Sequence, residues 1–207
     1  MILYLLGAAL VGFVVWTGIG VWRIGRVSRG PVIGKRPNTA VLLIDLQTVF
    51  WDSDQYDAAT KAKVEQVIKT EVSRAKSAGV PVIALRQEWS IPSTKIVAKL
   101  MMNGDAIAGS NGTELAPPFV GLSDHVLVKR VQDAFETGEL DAMLKWLDIG
   151  KLRVLGLDGN YCVAITAQAA RRRGFEVEIV SSGVLIGDKA KYERVLETLD
   201  AVGVSQV

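Results

Sequence analysis

Apolar residues along this chain fall into three patterns. The first is Ile2–Trp22, ILYLLGAALVGFVVWTGIGVW, a run of 21 residues without a charge. Wound as a helix it is about 30 Å long, enough to cross a bilayer core. The second is a set of short apolar runs at Thr39–Ile44, Val80–Leu85, His125–Lys129 and Arg153–Gly156, followed by the alternating Glu176–Val180 and a short Val204–Val207. Unbroken apolar runs of this length suit strands buried on both faces. The third is helical spacing. Ala62, Val64, Val67, Ile68, Val72 and Ala75 place one apolar face on Ala58–Ala78, which stops at Gly79. Gly138–Leu147, Tyr161–Gly174 and Ala190–Ala201 read as further helices, with Gly174 suited to a helix end. Strands alternating with helices predict an α/β fold: a doubly wound, mainly parallel six-stranded sheet in three α/β/α layers. Ser90–Asp124, with Gly104, Gly109, Gly112, Pro117 and Pro118, follows neither period and reads as a long irregular cover.

The expected division is a transmembrane anchor (1–22), a basic, Pro/Gly-containing linker (23–37) and one domain (38–207). A cleaved signal peptide is the rival reading of the first segment. No Lys or Arg precedes the apolar run and no A-x-A site follows it, which favours a retained anchor. Arg23, Arg26 and Arg29 come directly after it. By the positive-inside rule they hold the C-terminal side, and so the domain, in the cytoplasm.

Charge sharpens this division. The formal net charge of the 207 residues is +2, but residues 1–37 carry five basic residues and no acidic one. Beyond Pro37, 19 basic residues face 22 acidic ones, a formal −3. A mildly acidic domain argues against nucleic acid as a partner. The single cysteine excludes an internal disulfide and any multi-cysteine metal site, and the single histidine, His125, leaves no ordinary zinc ligand set. No metal and no cofactor is expected.

Three strand ends carry candidate chemistry. Asp45 follows the first strand, Lys129 ends HVLVK, and Cys162 lies where the fourth strand turns into a helix. In a parallel sheet these ends share one edge, the usual ligand crevice. A lone cysteine is more often structural, and a lone strand-end Lys or Asp is more often a surface or capping group. Their convergence on one edge is what points to chemistry. At a helix start the backbone N–H groups and dipole favour negative charge, so Cys162 is expected to ionise more readily than a free thiol. Gln47, Phe50, Trp51 and Trp89, beside the first two strand ends, are candidate substrate-binding residues. His125 sits at the far end of its strand and reads as structural. Asp52, Asp54 and Asp57 match no EF-hand spacing, and the G-x-G-x-x-G fingerprint is absent.

At this point the chain resembles a family. The runs VLLIDLQ (41–47), VLVKRVQDAF (126–135) and VLGLDGNYCVAITAQAARRRGFEV (154–177), with GTEL at 112–115, resemble the isochorismatase-like cysteine hydrolases, which include nicotinamidases and N-carbamoylsarcosine amidohydrolases. The resemblance runs from about Asn38 to the C-terminus. It implies a catalytic triad at Asp45, Lys129 and Cys162, and a cis peptide bond between Leu157 and Asp158. It also implies an oxyanion hole formed by the backbone N–H groups of Asp158 and Cys162. Two departures stand out. Gly159 occupies a position where the family often has Thr. The stretch RQEWSIPS lacks the histidines with which nicotinamidases bind a metal.

The expected function is cysteine-dependent hydrolysis of a small-molecule amide or related C–N bond through a thioester at Cys162. Two alternatives remain at this level: hydrolysis of an isochorismate-like vinyl ether without a covalent step, and a catalytically silent domain tethered as an interaction module. The expected partners are a small-molecule substrate and the membrane, through residues 2–22. The resemblance also leaves a homo-oligomer open.

Overall fold

The alternation of apolar runs with amphipathic helices produces one parallel sheet. The structure, a computed structural model, describes the backbone of residues 1–207 and all side chains except those of Ile2 and Leu3. In chain order the elements are α1 (Ile2–Ile24), β1 (Asn38–Ile44), α2 (Thr48–Trp51), α3 (Ala58–Ser77), β2 (Val82–Gln87), α4 (Pro92–Met101), β3 (His125–Lys129), α5 (Glu139–Trp146), β4 (Ile149–Gly156), α6 (Ala164–Arg172), β5 (Glu176–Val184), α7 (Lys189–Ala201) and β6 (Ser205–Gln206). The six strands lie in the order β3-β2-β1-β4-β5-β6, and every neighbouring pair is parallel.

β1 is the middle of this arrangement and is covered on both sides. Ala40, Leu42 and Ile44 join a core with Leu140, Leu144, Ala164, Ala167 and Leu199, drawn from α5, α6 and α7. Val41 and Leu43 point the other way, into a core with Val64, Ile68, Val72 and Ala75 of α3. Period-two side-chain alternation thus turns an unbroken apolar run into two half-cores. The chain winds outward from β1 through β2 to β3, then crosses back to β4 on the other side. The point where the winding reverses, between β1 and β4, is where open α/β sheets leave a crevice at the carboxyl ends of their strands. Gly156 lets the two strands close up there. Its φ is +121°, and an added Cβ would stand 2.1 Å from the Ile44 carbonyl oxygen.

Three details differ from the sequence reading. Residues 90–124 are not wholly irregular: Pro92, with φ preset for a first helical turn, starts α4, and a 3-10 turn spans Pro117–Phe119. β5 runs on to Val184. Gly159–Val163 forms a π turn, in which the Val163 N–H donates to the Asp158 carbonyl five residues back, so the regular α6 begins after Cys162.

α1 is long and apolar enough to cross a membrane, and only 6% of its apolar window is buried against the protein. Its C-terminal end is fastened to the domain. Gly20 lies against the Ser93 carbonyl, where a Cβ would come within 2.8 Å, and Ile24 packs with Val97, Ala98 and Trp89. The carbonyl of Ile24 accepts from the Gln132 N–H at 3.1 Å. The segment that follows, expected as a linker, lies along the domain. Ser28 N–H donates to Asp133 Oδ2 (2.6 Å) and Ile33 N–H to the Arg173 carbonyl (2.7 Å), while Val27 and Ile33 pack on the main core.

Candidate active site

Asp45, Lys129 and Cys162 meet in one crevice at the carboxyl edge of the sheet. Asp45 is the first residue past β1, and its φ of +54° turns the chain out of the sheet. Lys129 is the last residue of β3, two strands away. Cys162 sits in the π turn after β4. Lys129 Nζ lies 2.9 Å from Asp45 Oδ2 and donates to Cys162 Sγ at 3.3 Å, so the ammonium touches both partners. Asp45 and Lys129 are each 1% exposed, whereas Cys162 is half-buried and faces a cavity of about 450 Å³. Asp45 Oδ1 is buried with no hydrogen-bond partner, an available acceptor beside the thiol.

The ammonium is held from a further side by glutamine. Gln87, at the end of β2 and in register with Lys129, accepts from Lys129 Nζ through Oε1 at 2.6 Å. The Val131 carbonyl stands 3.4 Å from the same nitrogen. Gln47 in turn fixes Gln87. Its Oε1 accepts the Gln87 N–H at 2.5 Å, and its Nε2 donates to the carbonyls of Gln87 (3.0 Å) and Thr113 (2.8 Å).

Burial and charge set the protonation states. Desolvation pushes the Asp45 carboxyl up, only partly countered by Lys129. For Lys129, desolvation works against the charge, but Asp45 first and Cys162 second act in its favour and hold the ammonium above its usual range. The Cys162 thiol is pushed up, first by desolvation and then by the Asp45 charge. The expectation of an easily ionised thiol is therefore corrected: burial and the neighbouring carboxylate, which raise the thiol, outweigh Lys129, which lowers it.

The Leu157–Asp158 peptide bond is cis. The flanking N–H groups are occupied, Leu157 by the Ile44 carbonyl (3.0 Å) and Gly159 by the Leu185 carbonyl (2.9 Å). The Asp158 carbonyl accepts from Tyr161 and Val163, skipping Cys162 between them. The Asp158 carboxylate is tied down by Tyr56 OH (2.8 Å) and by the N–H groups of Gly187 (2.9 Å) and Asn160 (2.6 Å). Burial and the Asp158 charge push the Tyr56 phenol up, so it stays a donor. Tyr56 was not singled out in the sequence; the signal available was Asp158 at a strand-to-helix turn, where such a side chain commonly binds backbone N–H groups.

The remaining expectations divide. Phe50 and Trp89 line the cavity, with Tyr161, Met101 and Met102. Gln47 and Trp51 do not, which corrects their assignment to substrate binding. The Gln47 amide is spent on Gln87 and Thr113, and the Trp51 ring packs edge-on against Phe119 at 4.6 Å inside the core. His125 lies across from Trp146 (6.1 Å) at the opposite end of the sheet. Among the described residues no three His, Cys, Asp or Glu side chains gather as a metal-holding group. With RQEWSIPS (86–93), which runs from the end of β2 into α4, offering no histidine, the donor set of a metal-dependent nicotinamidase does not fit this chain.

Fold and crevice together define the class of architecture: a three-layer α/β protein with its crevice where the winding of the sheet reverses. The chain belongs to the isochorismatase family, whose model, described as Isochorismatase domain, matches residues 39–206. Nicotinamidase 3 of Arabidopsis thaliana is 24% identical over 164 residues, covering 77% of this chain and 79% of that protein. Among solved structures, a cysteine hydrolase from Pseudomonas syringae pv. phaseolicola is similar with a TM-score of 0.71 at 23% identity, over 86% of this chain and 93% of its own. N-carbamoylsarcosine amidase from Thermoplasma acidophilum gives 0.69 at 19%, over 82% and 95%. At these identities the structural likeness speaks for the fold.

Proposed function

We propose that the protein is a membrane-anchored cysteine hydrolase of small-molecule amides or related C–N bonds, with Asp45, Lys129 and Cys162 as its catalytic residues. The observation that carries this reading is the Lys129 ammonium in contact with both Asp45 and Cys162, beside a carboxylate oxygen that has no partner.

In the first step Asp45 Oδ1 takes the thiol proton as Cys162 Sγ attacks the carbonyl carbon, forming the C–S bond and a tetrahedral oxyanion. The raised carboxyl of Asp45 suits it to accept and then return a proton. Lys129 balances the charge while the sulfur is anionic. The backbone N–H groups of Asp158 and Cys162 receive the oxyanion, a contribution of about 3 kcal/mol for each well-aligned donor. Asp45 then protonates the departing nitrogen, the C–N bond breaks and a thioester remains. Water adds to the thioester with Asp45 as base, and the carboxylic acid leaves as the thiol is restored. Phe50 and Trp89 supply flat apolar walls for the acyl portion. α1 holds the domain at the cytoplasmic face of a membrane, with Arg23, Arg26 and Arg29 on the inner side.

A screen of small primary amides and ureido acids with the full chain and its Cys162→Ala variant tests this. Release of ammonia or amine by the wild type alone is the expected result. Turnover that survives Cys162→Ala would instead favour a non-covalent hydrolysis.

A further inference from the structure

A second cavity, of about 650 Å³, lies where α1 meets the domain. Its wall is unusually basic: Arg23, Arg26, Arg29 and Arg130, with Glu136 as the one carboxylate. Glu136 is already engaged by Arg130, Nε to Oε2 at 3.1 Å and Nη2 to Oε1 at 2.9 Å, which fixes that guanidinium and leaves its remaining nitrogen free. Arg23, Arg26 and Arg29 have no ion-pair partner among the described residues. Arg26 is oriented by stacking over Trp22, 4.7 Å from the ring. Four guanidiniums against one satisfied carboxylate leave a concave site with a net demand for negative charge. Guanidinium groups recognise phosphate oxygens by paired N–H donors.

Position identifies the source of that charge. Arg23 is in the last turn of the apolar helix, and Arg26 and Arg29 follow within two turns' length. The opposite wall is Ser90–Pro92, which leads into α4, the helix that packs on α1 at Gly20 and Ile24. With α1 across a bilayer, this cavity opens at headgroup depth. We infer that it is a binding site for the phosphate headgroup of an anionic phospholipid, an inference that rests on the reading of α1 as a membrane span. The site adjoins the candidate active site through the chain. Arg130 and Val131 follow Lys129 directly, and Gln132, whose N–H is bonded to the last carbonyl of α1, lines the catalytic cavity.

The test uses the full chain in mixed phosphatidylcholine/phosphatidylglycerol nanodiscs, followed by release and native mass spectrometry to count retained lipid. Selective retention of phosphatidylglycerol is expected. Arg130→Gln, which lies outside the juxtamembrane run, should lower that occupancy by about fivefold, as for one surface cation near anionic lipid. Lys63→Gln, an exposed cation on α3, should leave it unchanged. Equal retention of both lipids, no effect of Arg130→Gln, or displacement of the lipid by millimolar inorganic phosphate would overturn the proposal. Alkaline carbonate extraction of native membranes reports separately on the anchor. Protein released by carbonate refutes the membrane span itself, whereas protein that resists extraction yet shows no lipid selectivity refutes the headgroup site alone.

Discussion

Lys129 Nζ sits 2.9 Å from one carboxylate oxygen of Asp45, and the other oxygen of that carboxylate has no partner although it is buried. A purely structural ion pair in such a place would be expected to satisfy both oxygens, because a buried unpaired acceptor costs about 1–3 kcal/mol. The free oxygen has a use when a proton must be collected from the neighbouring thiol. Asp45→Asn removes that base while keeping shape and volume. Turnover of an amide substrate should fall by about a thousandfold. Circular dichroism that matches the wild type would confirm that chemistry, and not folding, is lost.

The same substitution should act in the opposite sense on the thiol. Burial and the Asp45 charge hold the Cys162 thiol above its ordinary range, so at neutral pH little thiolate is present in the resting protein. Its alkylation by iodoacetamide should therefore be slow, and should still be rising beyond about pH 9, where an ordinary thiol levels off. Removing the carboxylate takes away an anion that opposes ionisation and leaves Lys129 in place. Asp45→Asn should then be alkylated faster than wild type at the same pH, although its turnover is far slower. Rates of iodoacetamide labelling across a pH series measure both effects.

Gln47 reaches the site through Gln87. Its amide satisfies two carbonyls and one N–H in the interior, and through Gln87 it sets the place of the Lys129 ammonium. Gln47→Leu would orphan those groups. A loss of about 2 kcal/mol in unfolding free energy, read from urea denaturation, is the expected result, with kcat falling more than KM rises.

Arg173 joins the segment after α1 to the domain. It is 2% exposed, pairs with Asp141 at 2.8 Å, stacks over Phe135 and donates to the Ser28 hydroxyl at 3.0 Å. Arg173→Met leaves Asp141 without its cation and releases Ser28. Asp141 is 23% exposed and can turn to solvent, so the loss is that of hydrogen bonds to a charged group, about 2 kcal/mol. Limited proteolysis should then cut within residues 27–36, where the wild type resists.

How much of this could be read from the sequence depended on the range of the interaction. β1 and β3 were visible because a short apolar run is a local signal, although only β1 is covered on both faces; β3 is an edge strand with Val126 exposed. The crevice was visible because strand ends in a parallel sheet share an edge whatever lies between them. α4 was hidden: it is short, follows a proline, and its apolar face is defined by contact with α1. The ionisation of Cys162 was misjudged because a helix start is a local feature, while the desolvation and the Asp45 charge that override it come from distant chain. Gln47 and Trp51 had the right neighbours in sequence but turn toward Gln87 and Phe119. Arg173, one of three consecutive arginines, gave no sign that it alone would be buried, since its partners Asp141, Ser28 and Phe135 lie elsewhere in the sequence.

The central claim is that Cys162 becomes acylated during hydrolysis. Rapid acid quench of the full chain with an amide substrate, or with an amide-mimicking electrophile, followed by intact-mass and peptide mass spectrometry, tests it directly. The account predicts a mass increase equal to the acyl group, confined to the peptide bearing Cys162 and absent from Cys162→Ala. Turnover with no acyl adduct on Cys162, or an adduct spread over other residues and indifferent to Cys162→Ala, would contradict it.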